Sequence, residues 1–158
     1  VARLRSFEGA VVIITGGASG IGKALAEQVV EKGAHALVIV DRQVDLAEEV
    51  ATELRSKKGT LETKVYEIDV RDFEAMQKVV TETKEAYSRL DYMFNNAGIT
   101  VGGSIEQIGV DDLNYVLDVN IRGVTNGVQA AYPLMKEQGF GHIVNTSSMA
   151  SLIPNGEG

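Results

Sequence analysis

The sequence has no cysteine at all, and only 2 of its 158 residues are proline. No disulfide can staple the fold, so whatever holds it must be a packed core. A domain of this size buries roughly 70% of the surface that its unfolded chain exposes, so such a core is within reach. Scarce proline, with 44% hydrophobic and 23% charged residues, excludes collagen and low-complexity disorder and fits one globular domain. The missing cysteine is compatible with a reducing compartment, and a cytoplasmic location is the expectation. Positive charge is in deficit as well. The 15 Lys and Arg stand against 22 Asp and Glu, a net charge of −7 that repels phosphate polymers and anionic bilayers. Neither nucleic acid nor membrane is therefore an expected partner. Long apolar runs are missing too: Ala10-Val11-Val12-Ile13-Ile14 falls far short of the ~20 residues of a membrane span, and no small-residue cleavage site follows it. It reads as a strand.

What is present is an alternation of short β-branched runs with longer segments of helical period, the pattern of βαβ units around a parallel sheet. Strands are expected at Val11–Ile14, Ala36–Val40, Lys64–Ile68, Tyr92–Phe94 and Ile143–Asn145. The first two are almost continuously apolar, as strands covered on both faces must be. Ile21, Ala24, Leu25, Val29 and Val30 form one helical stripe, which Gly33 ends as a cap. Further stripes run through Leu46, Ala47, Val50, Ala51 and Leu54, and through Phe73, Met76, Val79 and Val80. A fourth and longer one uses Leu113, Val116, Leu117, Ile121, Val124 and Val128, and each stripe is expected to face the sheet. No repeat or linker divides the chain, so residues 1–158 are expected to be one domain.

Gly16, Gly17, Gly20 and Gly22 fall between the first strand and the first helix, in Thr15-Gly16-Gly17-Ala18-Ser19-Gly20-Ile21-Gly22. Glycine admits a dinucleotide's pyrophosphate to the backbone N–H groups, and the helix N-terminus adds partial positive charge. Ser19 can add a hydroxyl donor. The alternative is a tight turn that only permits close helix–sheet packing. Asp41 ends the second strand about twenty positions after Gly22, the spacing of a carboxylate that bonds the adenosine ribose hydroxyls. It would repel a 2′-phosphate, which favours NAD over NADP, although the neighbouring Arg42 is a cation that such a phosphate could use. The alternative for Asp41 is a solvated strand end or a helix cap. His35 and His142 precede strands, at the opposite end from the serines of the fifth, and read as surface turn residues. No His/Cys/carboxylate cluster has metal-ligand spacing.

From Val11 to about Ser151 the sequence resembles the short-chain dehydrogenase/reductase family, in its opening glycine spacing and in several later motifs that match in order. The resemblance implies an α/β, doubly wound Rossmann fold, with a parallel sheet of about five strands in the order 3-2-1-4-5 and right-handed crossovers. It implies that Gly16, Ser19, Gly20, Ile21 and Gly22 bind the cofactor, with Asp41 and Arg42 at the ribose. Asp69-Val70 would meet the adenine. Asn95-Asn96-Ala97-Gly98 would steady the sheet and line the cleft through Asn96, Ala97 and Gly98. Asn120 would hold a water in the proton relay; the alternative is that it ties its helix to a neighbouring carbonyl without a catalytic part. Ser148 would hydrogen-bond the substrate oxygen, with Ser147 the adjacent candidate and Met149, Ala150 and Ser151 as small, apolar pocket wall. The family's Tyr-x-x-x-Lys pair is expected beyond Gly158, since Tyr132 and Lys136 lie upstream beside Pro133; the domain is thus expected to be incomplete at its C-terminus, with the fifth strand an exposed edge. The implied activity is hydride transfer between NAD, or less readily NADP, and a small alcohol or ketone, by a parent that is a homodimer or homotetramer. A non-catalytic dinucleotide-binding module or sensor, or a Rossmann enzyme such as an epimerase, is the alternative.

Overall fold

The computed structural model describes residues 6–104 and 106–149. The elements run β1 (Val11–Thr15), α1 (Gly20–Glu31), β2 (Ala36–Asp41), α2 (Val44–Lys57), β3 (Glu62–Glu67), α3 (Phe73–Tyr87), β4 (Tyr92–Asn95), α4 (Val110–Leu117), a π turn (Asp118–Gly123), α5 (Val124–Gln138) and β5 (His142–Asn145). All strand pairs are parallel and the sheet order is β3-β2-β1-β4-β5, the doubly wound order expected from the sequence.

The two apolar runs become the central strands. Every residue of β1 is buried, and so are Ala36 to Val40 of β2. Alternate side chains of a strand point to opposite faces, so a continuous run feeds two cores. Val12, Ile14, Leu37 and Ile39 pack with Val29 and Val30 of α1 and Val50 and Leu54 of α2. Val11, Ile13, Val38 and Val40 pack with Met76 and Val79 of α3 and Ala131, Leu134 and Met135 of α5. Each fully buried Val, Leu or Ile contributes about 1.5–3 kcal/mol, so these two strands carry much of the stability. Gly33 ends α1 as expected: with φ +99° it follows the Lys32 cap, its N–H reaches Val30 O, and Ala34 N–H reaches Val29 O.

The starts of β1, β4 and β5 are pinned by one buried residue, through its carboxylate and its backbone carbonyl. Asp91 is 1% exposed; its Oδ2 accepts from Val11 N–H (3.0 Å) and Arg89 Nε (2.7 Å), and its backbone carbonyl accepts from His142 N–H (2.8 Å). Losing Arg89, whose side chain reaches solvent, would leave the buried Asp91 carboxylate without its charged partner.

Three expectations need correction. β3 begins at Glu62, two residues before the expected Lys64. His142 is the first residue of β5, stacked on Tyr92 with ring centroids 5.0 Å apart, and not a turn residue. The inward faces of the helices also differ from the apolar stripes. Ile21, Ala24 and Leu46 face outward, with Ile21 65% exposed, and the long fourth stripe fails: Leu113, Leu117 and Ile121 are exposed. Instead Gly123, Asn126, Gly127, Ala130 and Ala131 meet the sheet side. The π turn adds a residue to the helical ladder and rotates the face that follows it, and the inward positions are taken by small residues because the backbone approaches so closely. A Cβ on Gly127 would lie 1.8 Å from Asn95 Oδ1 and 2.9 Å from Met93 Cε.

Gly127→Val is therefore expected to lower unfolding free energy by about 1–3 kcal/mol, the cost of overpacking, read as a lower urea midpoint at unchanged slope. Gly59→Ala, where nothing lies within 4 Å of the added carbon, is the control and should stay within about 0.5 kcal/mol of the parent.

Candidate functional site

The sheet order reverses between β1 and β4, and the carboxyl ends of the strands there open a cleft of about 400 Å³. The loop after β1 forms one wall. Gly16 has φ +66° and donates to Val40 O (2.8 Å), which ties the loop to β2. Ser19 is the N-cap of α1, but its hydroxyl makes no capping bond, so the first turn of the helix keeps N–H groups that a ligand can take. Gly20 has φ +52°, and a Cβ built there meets nothing within 4 Å among the described residues. Gly22 is the opposite case, since its Cβ would lie 1.8 Å from Gly16 O. The two glycines thus divide the sequence alternatives between them: Gly22 serves close packing, and Gly20 leaves space on the cleft.

Asp41 closes the floor at the end of β2. Its Oδ2 accepts from Ala18 N–H and its Oδ1 from Gln43 N–H, both at 3.0 Å, so the carboxylate is fixed by the glycine loop on one side and the start of α2 on the other. The wall after β4 hangs on Thr15. Its Oγ1 accepts from Asn96 N–H (2.9 Å) and Ala97 N–H (3.1 Å) and donates to Phe94 O (3.3 Å). Asn96 Nδ2 donates to Thr15 O (3.1 Å) and Gly16 O (3.3 Å), while its Oδ1 accepts from Thr146 Oγ1 (3.1 Å). One amide therefore joins β1, the glycine loop and the end of β5.

The far end carries charge. Arg71 chelates Asp69 through Nε (3.0 Å) and Nη2 (2.7 Å) and lies 4.8 Å over the Tyr115 ring. The hydrogen bonds from Arg71 hold the Asp69 carboxyl below the usual carboxylate range. Arg42 donates from Nη1 to the Tyr115 hydroxyl, and its Nε is 3.8 Å from Asp69 Oδ2. Asn126 of α5 pins this corner by donating to Val70 O (2.9 Å) and Arg71 O (3.0 Å).

All the residues expected at a cofactor line this one cleft: Gly16, Ser19, Gly20, Ile21 and Gly22 on the loop, Asp41 and Arg42 after β2, Asp69 and Val70 after β3, and Asn96, Ala97 and Gly98 after β4. The outward turn of Ile21, wrong for the core stripe, is what brings it there. Ser148 and Asn120 do not line it. Asn120 accepts from Ile99 N–H and donates to Ile99 O, both at 2.9 Å, so its side chain grips the peptide of a wall residue. Ser148 is exposed, two residues past the lining residue Thr146. Ala150 and Ser151 lie outside the described residues. Tyr132 and Lys136 line a separate groove beside β5, and His35 sits 3.7 Å from Glu62, away from the cleft. Among the described residues no group of His, Asp and Glu is arranged to hold a metal. Sequence reading missed Gln43, Ile68, Ile99, Tyr115, Val119 and Thr146. Ile99 and Thr146 adjoin motifs already singled out; Tyr115 gives no signal in sequence, because only the packing of α4 against Arg42 and Arg71 brings it to the cleft.

A family model described as short chain dehydrogenase matches residues 10–158. An uncharacterized oxidoreductase of Listeria monocytogenes is 39% identical over 142 residues, covering 90% of this chain and 56% of the relative. A short chain dehydrogenase/reductase from Burkholderia phymatum, solved in complex with NAD, superposes with TM-score 0.87 at 32% identity, over 96% of this chain and 53% of that one. An NAD+-bound xylitol dehydrogenase gives TM-score 0.88 at 30% identity, over 96% and 57%. The chain thus spans about half the length of the relatives it matches.

Gly20→Val should separate the two glycine roles. It is expected to cost only about 1–3 kcal/mol of backbone strain, so the protein stays folded, yet to abolish NADH binding in calorimetric titration. Retained NADH affinity would remove the loop from the ligand site.

Proposed function

Since the chain belongs to the short chain dehydrogenase family, we propose that it is the dinucleotide-binding part of an oxidoreductase that uses NAD in preference to NADP on a small alcohol or ketone. The observation that carries this reading is the open space at Gly20, at a helix N-terminus with unspent N–H groups, in the same cleft as the fixed carboxylate of Asp41. These features fit the two ends of a dinucleotide's chemistry: an anion at the helix terminus and a diol at the carboxylate. Gly16, Ser19, Gly20, Ile21 and Gly22 would hold the pyrophosphate, Asp41 the adenosine ribose, Asp69 and Val70 the adenine, and Asn96, Ala97 and Gly98 the nicotinamide side. When bound, the nicotinamide supplies a two-electron hydride donor or acceptor.

The chain's own residues then orient the substrate. Ser148, exposed at the end of β5, donates a hydrogen bond to the substrate oxygen and polarises it. Asn120 acts through Ile99: its two hydrogen bonds fix the wall, and the π turn that contains it opens the helical ladder where a relay water would be held. The outward row Val110, Leu113, Leu117 and Ile121 supports a homodimer or homotetramer. Among the described residues no helix is long and apolar enough to cross a membrane, and a cytoplasmic setting is part of the proposal.

Asp41→Ala is expected to weaken NADH at least tenfold and NADPH much less, in parallel titrations, because the lost carboxylate bonds only an unphosphorylated ribose. An equal loss for both would remove the ribose role. In the parent protein that carries the family's Tyr-x-x-x-Lys pair, Ser148→Ala is expected to lower kcat about 10²–10³-fold on any carbonyl reduced while leaving NADH affinity unchanged; NADH binding by that parent with no turnover of any carbonyl would favour the sensor reading.

A further inference from the structure

Asp41 and Arg42 stand side by side with opposite consequences for a ribose 2′-position. The carboxylate repels a 2′-phosphate and the guanidinium attracts one, so the outcome depends on what Arg42 is free to do. In the structure it is committed. Nη1 donates to the Tyr115 hydroxyl, and Nε is held in an ion pair 3.8 Å from Asp69 Oδ2. An arginine binds phosphate best through a fork of two parallel N–H bonds. The two forks that include Nη2 pair it either with Nη1 or with Nε, so each competes with a contact already made, the first with the Tyr115 hydroxyl and the second with the Asp69 carboxylate. Tyr115 is itself held in place: its ring lies under the Arg71 guanidinium at 4.8 Å, and Arg71 is fixed by its two bonds to Asp69. Arg42 is thereby tied across the mouth of the cleft from the end of β2 to α4.

We propose that Tyr115 is a specificity-determining residue: by holding Arg42 to α4 it withholds that cation from a 2′-phosphate and leaves Asp41 to select the unphosphorylated nucleotide. The proposal deepens the NAD reading above and rests on it. Specificity here is a difference between two affinities, and the device acts on one of them. On this reading NAD is selected through Asp41. NADP would have to draw Arg42 off the hydroxyl before gaining its fork.

The test is calorimetric titration of NADH and NADPH, at one fixed ionic strength, into the parent protein, Tyr115→Phe, Arg42→Gln and the double variant. Phenylalanine removes only the hydroxyl and keeps the ring under Arg71, so the fold is preserved. Tyr115→Phe is expected to tighten NADPH about five- to tenfold, the scale of one competing hydrogen bond removed, with NADH within about twofold of the parent. The gain should vanish in the double variant, because it depends on Arg42. An unchanged NADPH affinity, an equal weakening of both nucleotides, or a gain that survives loss of Arg42 would each overturn the proposal. A parent protein that binds NADPH more tightly than NADH would overturn the NAD reading instead, while the response of Tyr115→Phe relative to its parent would still decide the role of Tyr115.

Discussion

The close approach of α1 to the glycine loop and of α5 to β4 is the constraint on which the rest of this structure depends. Gly22 leaves no room for even one carbon between α1 and Gly16 O, and Gly127 leaves none between α5 and Asn95. With the helices drawn in this far, the first turn of α1 sits at the carboxyl edge of the sheet, where Ser19, Gly20, Ile21 and Gly22 line the cleft. The same closeness lets Asn126 reach two backbone carbonyls of the loop after β3 and lets Asn120 grip Ile99. Small inward residues exchange buried apolar area for backbone placement. The two central strands, buried throughout, make that exchange affordable.

Polar groups inside the molecule serve the same placement. Asp91 joins the amino ends of β1, β4 and β5, and Thr15 with Asn96 joins their carboxyl ends. Between these anchors the strands cannot slide, because a register shift would strand Asp91 without Val11 and Thr15 without Asn96. A buried carboxylate is a poor source of net stability but a strong source of uniqueness when each oxygen is bonded. Asn95 Nδ2 donates to Asn145 Oδ1 (2.8 Å) one residue before the Asn96–Thr146 contact, so β4 and β5 are tied at two successive positions.

The continuous burial of β1 and β2 and the Gly33 cap were legible in the sequence because each depends on a local signal, a β-branched run or a glycine after a helix; the sheet order and the gathering of Asp69, Val70, Asn96, Ala97 and Gly98 at one cleft followed from the family resemblance. The inward faces of α1 and of the long helix beyond residue 110 were not legible. Hydrophobic periodicity finds the face with the largest side chains, and here that face is Ile21, Leu113, Leu117 and Ile121, which point out. Where a helix packs through glycine and alanine, the signal marks surface that is free for other uses. Tyr115 was invisible for a related reason, since its partners Arg42 and Arg71 come from strand ends far away in sequence, and only the assembled cleft brings them together.

Charge at the cleft shows why net charge is a weak guide to a small anionic ligand. The chain carries −7, which argues against nucleic acid along an extended surface but says little about a cavity a few ångströms across. Inside the cleft the balance is local. The positive end of α1 lies at one end, and Arg42 and Arg71 flank the other, with Asp69 largely neutralised by Arg71. That leaves Asp41 as the acidic group whose charge faces the ligand with little compensation, since both of its protein partners are neutral backbone N–H groups. A carboxylate so placed is held still, and in the proposed ribose role its interaction would change sign when a ribose hydroxyl is replaced by a phosphate. On the proposed reading, discrimination between nucleotides would follow from which cations are already committed elsewhere, more than from how many the cleft contains.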